Sequence, residues 1–162
     1  MLAVTNADRW TPRRARADDA DELARLLYDF NTEFATPSPG AAVLADRLRR
    51  LLAGDATVAI LAGDPALGIA LVTLRPNVWY DGPVALLDEL YVVPDRRGQG
   101  IGSAIIGELL ALAGERGVDL IEINVDEGDV DAQRFYQRHG FSATEAGSTE
   151  RSFYYWRELA EL

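Results

Sequence analysis

Residues 84–103 read VALLDELYVVPDRRGQGIGS and place a long apolar run directly before a cluster of glycines. Its first half, residues 84–93, is the longest apolar run in the sequence and predicts a central β-strand. Glycines follow at positions 98, 100 and 102. From there to about Arg116 the sequence is apolar on most sides of a helix, and Gly117 predicts where that helix ends. The stretch therefore predicts a strand, a glycine-rich loop and a buried helix in direct succession.

The glycine-rich loop has the features of a phosphate site. Gly98, Gly100 and Gly102 leave backbone N–H groups open, and the start of a helix adds partial positive charge. Arg96 and Arg97 supply formal charge beside the loop. One interpretation is a nucleotide-type cofactor, and the other is a tight turn that needs only a flexible backbone. The loop by itself leaves both interpretations open.

The remaining segments predict one α+β domain spanning residues 1–162, with a partly parallel sheet. One helix starts at Asp18 or Asp19 and ends in the turn at 36–40, a second ends at Gly54, and a short one covers 131–139. Predicted strands lie at 13–17, 57–62, 66–74, 84–93, 119–125, 141–146 and 152–156.

Composition excludes several kinds of chemistry. The chain has no cysteine and one histidine, so disulfides, thiolate nucleophiles and zinc–thiolate centres are excluded, and we expect no metal. All 16 basic residues are arginine, which excludes a Walker-type phosphate loop. A net charge of −10 disfavours nucleic acid and anionic membranes as partners and is able to steer a cationic amine. No apolar window suggests a leader or a membrane span, so we expect a cytoplasmic protein.

Two segments together resemble a known family. Residues 89–102, ELYVVPDRRGQGIG, resemble the cofactor signature of the GNAT superfamily of N-acetyltransferases, whose core Arg/Gln-x-x-Gly-x-Gly/Ala is matched by Arg97, Gly100 and Gly102. Residues 132–141, AQRFYQRHGF, resemble the later motif Ala-x-x-Phe-Tyr-x-x-x-Gly-Phe. The family often has asparagine three positions before that alanine, where this chain has Asp129. An acid at this position is able to cap the following helix.

The resemblance implies a GNAT-type acyl-CoA N-acyltransferase fold, with a central mixed, mostly antiparallel sheet, two splayed parallel strands and flanking helices. It implies acetyl-CoA as co-substrate, with pantetheine bonded to strand backbone and an N–H near Val92 stabilising the oxyanion. Because family members often dimerise, a homodimer is a further expectation. The cofactor-binding residues that it implies are Tyr91, Val92, Val93, Arg97, Gly98, Gln99, Gly100, Ile101, Gly102, Ser103, Asp129 and Phe135.

Acetyl transfer to an amine needs a neutral amine, a polarised carbonyl and a proton for the departing thiolate. The resemblance places Tyr136 near the cofactor sulfur as the general acid, although its helix position also suits a core aromatic. For the base we predict Glu89, then Asp88, with Glu122 as a third candidate. Adjacent strand residues point to opposite faces, so we expect only one of the first two to line the site.

The function predicted is acetyl transfer from acetyl-CoA to a primary amine of a small molecule or peptide. We expect the acceptor wall to include Tyr28, Glu33, Phe34, Trp79 and Tyr80, because aromatics with an acid suit a cationic amine. A catalytically silent acyl-CoA-binding regulatory module is the alternative. A nicotinamide-dependent reductase is a third hypothesis. The glycine spacing opposes it, because this chain has G-x-G-x-G where dinucleotide-binding folds have G-x-G-x-x-G.

Overall fold

The computed structural model describes residues 10–159, which contain five strands and four helices. Of the described residues, those up to Ile123 form one compact unit and those from Asn124 onward form a second. No helix within the described residues is long and apolar enough to cross a membrane. The elements are β1 Pro12–Arg14, α1 Ala20–Glu33, α2 Ala41–Leu52, β2 Thr57–Ala62, β3 Gly68–Arg75, β4 Val84–Val92, α3 Ile101–Arg116, β5 Ile121–Ile123 and α4 Val130–Arg138.

The first unit is built on one sheet with the strand order β1-β2-β3-β4-β5. The pairs from β1 to β4 are antiparallel, and β4 and β5 are parallel. This arrangement confirms the predicted mixed, mostly antiparallel sheet. Parallel neighbours need a crossover connection, and α3 supplies it between β4 and β5.

Helices cover both faces of the sheet. The buried side chains of α1 and α2 form one apolar cluster with Leu61, Ile69 and Tyr91 of the sheet. Gly68 precedes Ile69 in β3, so the hydrogen in its side-chain position lies on the opposite face of the sheet. A Cβ added there would lie 2.8 Å from Cγ2 of Ile101 in α3, which identifies that face as the one covered by α3. Odd-numbered residues of β3 therefore face α1 and α2, and even-numbered ones face α3.

The predicted strands near the C-terminus are wrong. Within the described part of the second unit, residues 141–146 and 152–156 form no strand, and the only ladder contact is a single bridge between Thr144 and Arg151. The aromatic sequence suggested a half-buried strand, but Phe153 is 69% exposed and Trp156 is 74% exposed. Without a paired neighbour or a buried face, β-propensity alone does not form a strand. The strand predicted at 119–125 is also shorter, covering Ile121–Ile123.

Candidate active site

The glycine loop, residues 94–100, connects β4 to α3. It begins with a 3-10 turn at Pro94–Arg96. Gly98 and Gly100 then adopt φ values of +72° and +89°, in the left-handed region that glycine tolerates best. A Cβ built on either residue would meet no atom within 4 Å. These two glycines are therefore required by backbone conformation, and they face open space.

The start of α3 directs backbone N–H groups at this loop. The first intrahelical bond joins the N–H of Ala104 to the carbonyl of Gly100 at 3.0 Å. The N–H groups of Ile101 and Gly102 precede that bond and have no acceptor within the helix. The Ile101 side chain is buried, so only its backbone is available here. A 16-residue helix that starts at an open glycine loop has the geometry of an anion site.

Strand β4 extends beyond its parallel neighbour. Its last pair with β5 is Leu87 with Ile123, whereas β4 continues to Val92. The N–H of Val93 donates to the carbonyl of Leu67 at 2.9 Å, on the β3 side. Because successive peptide groups alternate along a strand, the N–H and C=O of Val92 point to the opposite, open edge. The unpaired edge lies where the resemblance implies a splay between β4 and β5, and it carries the N–H expected to bind the oxyanion.

A β-bulge at Asp88 sets the direction of the neighbouring side chains. Leu71 pairs with Glu89 while the next residue, Val72, pairs with Leu87, so Asp88 is the extra residue of β4. Side chains of paired residues lie on the same face of a sheet. Leu87 therefore faces α3, as Val72 does, and Glu89 faces α1 and α2, as Leu71 does. Pairing with β5 ends at this same point, and bulges bend the strand that contains them.

The bulge also corrects the expectation that the two neighbouring acids point to opposite faces. An Asp88 carboxylate oxygen accepts a 2.6 Å hydrogen bond from the hydroxyl of Thr73. Thr73 is an odd-numbered residue of β3 and lies on the α1–α2 face, to which Glu89 also turns. The regular alternation predicted for β4 fails because one residue is inserted between the paired positions. Both acids therefore lie on one side of the sheet.

Glu89 has the environment of a general base. Burial raises the pKa of its carboxyl group, and the negative charge of Asp88 raises it further. The competing acids are already engaged, since Asp88 is bound by Thr73 and Glu122 forms a 2.7 Å ion pair with Arg75. These observations favour Glu89 over the other two candidate acids.

Arg97 joins the glycine loop to α1. Its two terminal nitrogens each donate to Glu33 at 2.7 Å, and its Nε donates to the carbonyl of Val92 at 2.9 Å. The guanidinium also lies 5.6 Å from the ring centre of Tyr91. Its hydrogen bonds hold the pKa of Glu33 below the usual range. Sequence reasoning missed this partner because the 64-residue separation leaves no local signal.

The Tyr91 side chain is part of the core. Tyr91 is 4% exposed, and its ring stacks on Phe30 with centres 5.1 Å apart. Burial raises the pKa of its phenol, and the negative charge of Glu33 raises it further. A cofactor contact of Tyr91 is therefore restricted to its backbone.

The second unit contains the other motif. An Asp129 carboxylate oxygen accepts from the N–H of Ala132 at 2.9 Å, which confirms the predicted cap of α4. Tyr136 is 9% exposed and packs edge-on against Phe135 and Phe141, with ring centres 5.2 and 5.6 Å away. The contact of Asp129 or Phe135 with a cofactor stays a prediction.

The residues proposed for the acceptor wall lie in two places. Glu33 and Phe34 lie at the end of α1, beside Arg97 of the glycine loop. Tyr80 instead lines a cavity of about 520 Å³ with Pro76 and Pro83, where β3 ends and β4 begins. The nine residues of β4 separate these two regions by roughly 27 Å. The structure therefore divides the predicted wall between opposite ends of β4.

Comparison with known proteins identifies the same family that the two sequence motifs resemble. The family model described as Acetyltransferase (GNAT) family matches residues 20–141. The crystal structure of an Arthrobacter sp. FB24 protein, assigned as an acetyltransferase, is 52% identical with a TM-score of 0.88 and covers 98% of this chain and 99% of that one. The chain belongs to the acetyltransferase (GNAT) family.

The curated relatives are more distant. A mycothiol acetyltransferase from Beutenbergia cavernae is 29% identical over 131 residues, which is 76% of this chain and 42% of the relative. An uncharacterized N-acetyltransferase from Methanocaldococcus jannaschii is 40% identical over 62 residues, which is 38% of this chain and 27% of the relative. The chain thus matches less than half the length of each of these two relatives.

Proposed function

We propose that the protein is an acetyl-CoA-dependent N-acetyltransferase that acetylates a primary amine of a small molecule or peptide. The observation that carries this proposal is the open edge of β4 leading directly into a glycine loop at a helix start. Family membership supports the same reaction. Acetyl-CoA chemistry also agrees with the cytoplasmic location that we expect.

The cofactor is proposed to follow this edge. Its diphosphate binds the N–H groups from Gly98 to Ser103, and its pantetheine arm lies along the open edge of β4 beside Tyr91 to Val93, in the manner of an added strand. The thioester carbonyl then accepts from the N–H of Val92, which stabilises the oxyanion as the amine attacks. No metal is assigned a role. Within the described residues, no group of three or more acidic or histidine side chains could hold one.

Glu89 is proposed as the general base. It takes a proton from the ammonium of the acceptor, directly or through water, and the amine then attacks the thioester carbonyl. A raised pKa improves the match between this carboxylate and its task near neutral pH. The N–C bond forms and the C–S bond breaks, with the phenol of Tyr136 donating its proton to the departing thiolate. The acetylated nitrogen loses its remaining extra proton, which restores the Tyr136 phenol, and Glu89 returns its proton to solvent.

The test is a thiol-release assay with acetyl-CoA and a panel of amines that includes polyamines, aminoglycosides, amino acids and peptide N-termini. We expect turnover with at least one class and loss of turnover for Glu89→Gln. Glu122→Gln, which removes an acid already paired with Arg75, is the control and should retain activity. CoA binding without turnover on any amine would favour the silent acyl-CoA-binding module, and binding of NADH in place of CoA would favour a reductase.

A further inference from the structure

Arg97 joins three parts of the first unit through a single side chain. The fork of its guanidinium binds both carboxylate oxygens of Glu33, the last residue of α1, at 2.7 Å each. Its Nε binds the carbonyl of Val92, the last residue of β4. Arg97 itself immediately precedes Gly98. Three elements that meet at the proposed acyl site are thus fixed by one planar group.

Glu33 in turn holds this arrangement from the α1 side. Besides binding the fork of Arg97, the Glu33 carboxylate adds to the effect of burial in raising the pKa of the phenol of Tyr91, which is buried and stacks on Phe30 of the same helix as Glu33. The Glu33 side chain is only 27% exposed, and Arg97 is 43% exposed. An ion pair at this exposure adds little stability by itself. Its fixed geometry therefore points to a role in positioning the backbone.

The contact between Arg97 and Val92 fixes the backbone next to the proposed oxyanion donor. Arg97 binds the Val92 carbonyl at the open edge of β4, from which the N–H of the same residue is proposed to stabilise the oxyanion. Fixing one peptide group of Val92 restricts rotation of the adjoining one. Oxyanion donors work when they are held in place before the reaction, so small displacements cost rate.

We propose that Glu33 is a positioning residue of the acyl-transfer site, which acts through Arg97 to fix the Val92 peptide and the start of the glycine loop. This inference rests on the proposed N-acetyltransferase function. It assigns Glu33 a role other than binding the acceptor amine, because its carboxylate is already neutralised by Arg97.

The experiment compares Glu33→Ala with Asp21→Ala. Asp21 is the matched control, since it lies on the same helix and forms an ion pair of 2.7 Å with Arg49 of α2, away from the loop. The readouts are kcat, the KM for acetyl-CoA, the Kd for CoA by calorimetry, and Tm. We expect Glu33→Ala to lower kcat about tenfold and weaken CoA binding severalfold, while Asp21→Ala stays within about twofold of wild type.

Arg97→Lys separates positioning from charge. Lysine keeps the positive charge near the diphosphate but lacks the rigid planar fork that holds both Glu33 oxygens and the Val92 carbonyl in fixed directions, so we expect the same fall in kcat as for Glu33→Ala. Wild-type kcat in either variant, with or without a lowered Tm, would overturn the positioning role. If wild-type protein neither binds CoA nor releases thiol, the proposed function itself fails, which is a different outcome from unaltered variants of an active enzyme.

Discussion

Glu89 combines a cost to stability with the role in catalysis that we propose for it. Its folded-state pKa is raised by burial and by Asp88, so the folded protein favours the protonated carboxyl group. The resulting stabilisation is present below the unfolded pKa of about 4.3 and is lost as pH rises through the raised pKa. At pH 7 the ionised side chain therefore works against folding.

Replacing Glu89 by Gln should accordingly raise Tm at pH 7 while lowering kcat by about 10²-fold or more, because the base is lost but the buried charge is removed. Thermal denaturation and thiol release measure the two effects. The Tm gain should shrink as pH is lowered toward 4. A Tm that falls at pH 7, or an unaltered acidic limb in the pH–rate profile of the variant, would contradict this account of Glu89.

Tyr136 is mostly buried among Phe135 and Phe141, so its ring contributes to packing whatever its hydroxyl does. Tyr136→Phe keeps the ring and removes the proposed acid. We expect turnover to fall about 10²-fold with CoA affinity kept within about twofold, as measured by initial rates and calorimetry. Turnover equal to wild type would leave Tyr136 as a packing residue alone.

At the scale of elements, the glycine loop and α3 provide a matched pair of glycines. Gly100 has φ +89°, which an alanine adopts only at a cost of about 1–2 kcal/mol, whereas Gly107 lies within α3 with open space around its Cβ position. Gly100→Ala should lower stability and weaken CoA binding at least ~tenfold. Gly107→Ala should stabilise by about 0.5–1 kcal/mol without changing affinity. Chemical denaturation and calorimetry test both, and equal effects of the two changes would contradict the assigned role of the loop.

Sequence patterns predicted the elements around the site but not the bulge between them. The apolar run 84–93 indicated β4 and the glycines indicated the loop, because strand burial and left-handed φ values leave local marks in a sequence. The bulge leaves no such mark, since Asp88 becomes an extra residue only through the register of β4 against β3. The prediction that Asp88 and Glu89 point to opposite faces is wrong for that reason.

For the whole molecule, one close backbone contact joins the turn before β4 to the end of α3. A Cβ on Gly82, in the turn before β4, would lie 1.8 Å from the carbonyl oxygen of Gly117 at the end of α3. Gly82→Ala must separate these segments, and we expect a loss of about 1–3 kcal/mol. Gly54→Ala is the control, because its Cβ would make an ordinary 3.6 Å contact with Leu51. Similar unfolding free energies for the two variants would contradict this packing.

Contacts between distant parts of the chain account for what sequence reasoning missed. The Glu33–Arg97 pair joins residues 64 positions apart, and neither residue lies in a pattern that signals the other. The segment at 152–156 shows the opposite error, in which strong β-propensity predicted a strand where none of the described residues supplies a regular ladder. Local signals thus predicted the elements and the loop, while pairing decided the orientation of the acids and the partner of Arg97.

Calorimetric titration of the wild-type protein with CoA and with pantetheine, which lacks the diphosphate, tests whether the glycine loop binds the diphosphate. If the N–H groups from Gly98 to Ser103 hold that diphosphate, CoA should bind at one site per chain and pantetheine at least ~tenfold more weakly. No heat of binding with CoA, or equal affinity for CoA and pantetheine, would contradict the claim.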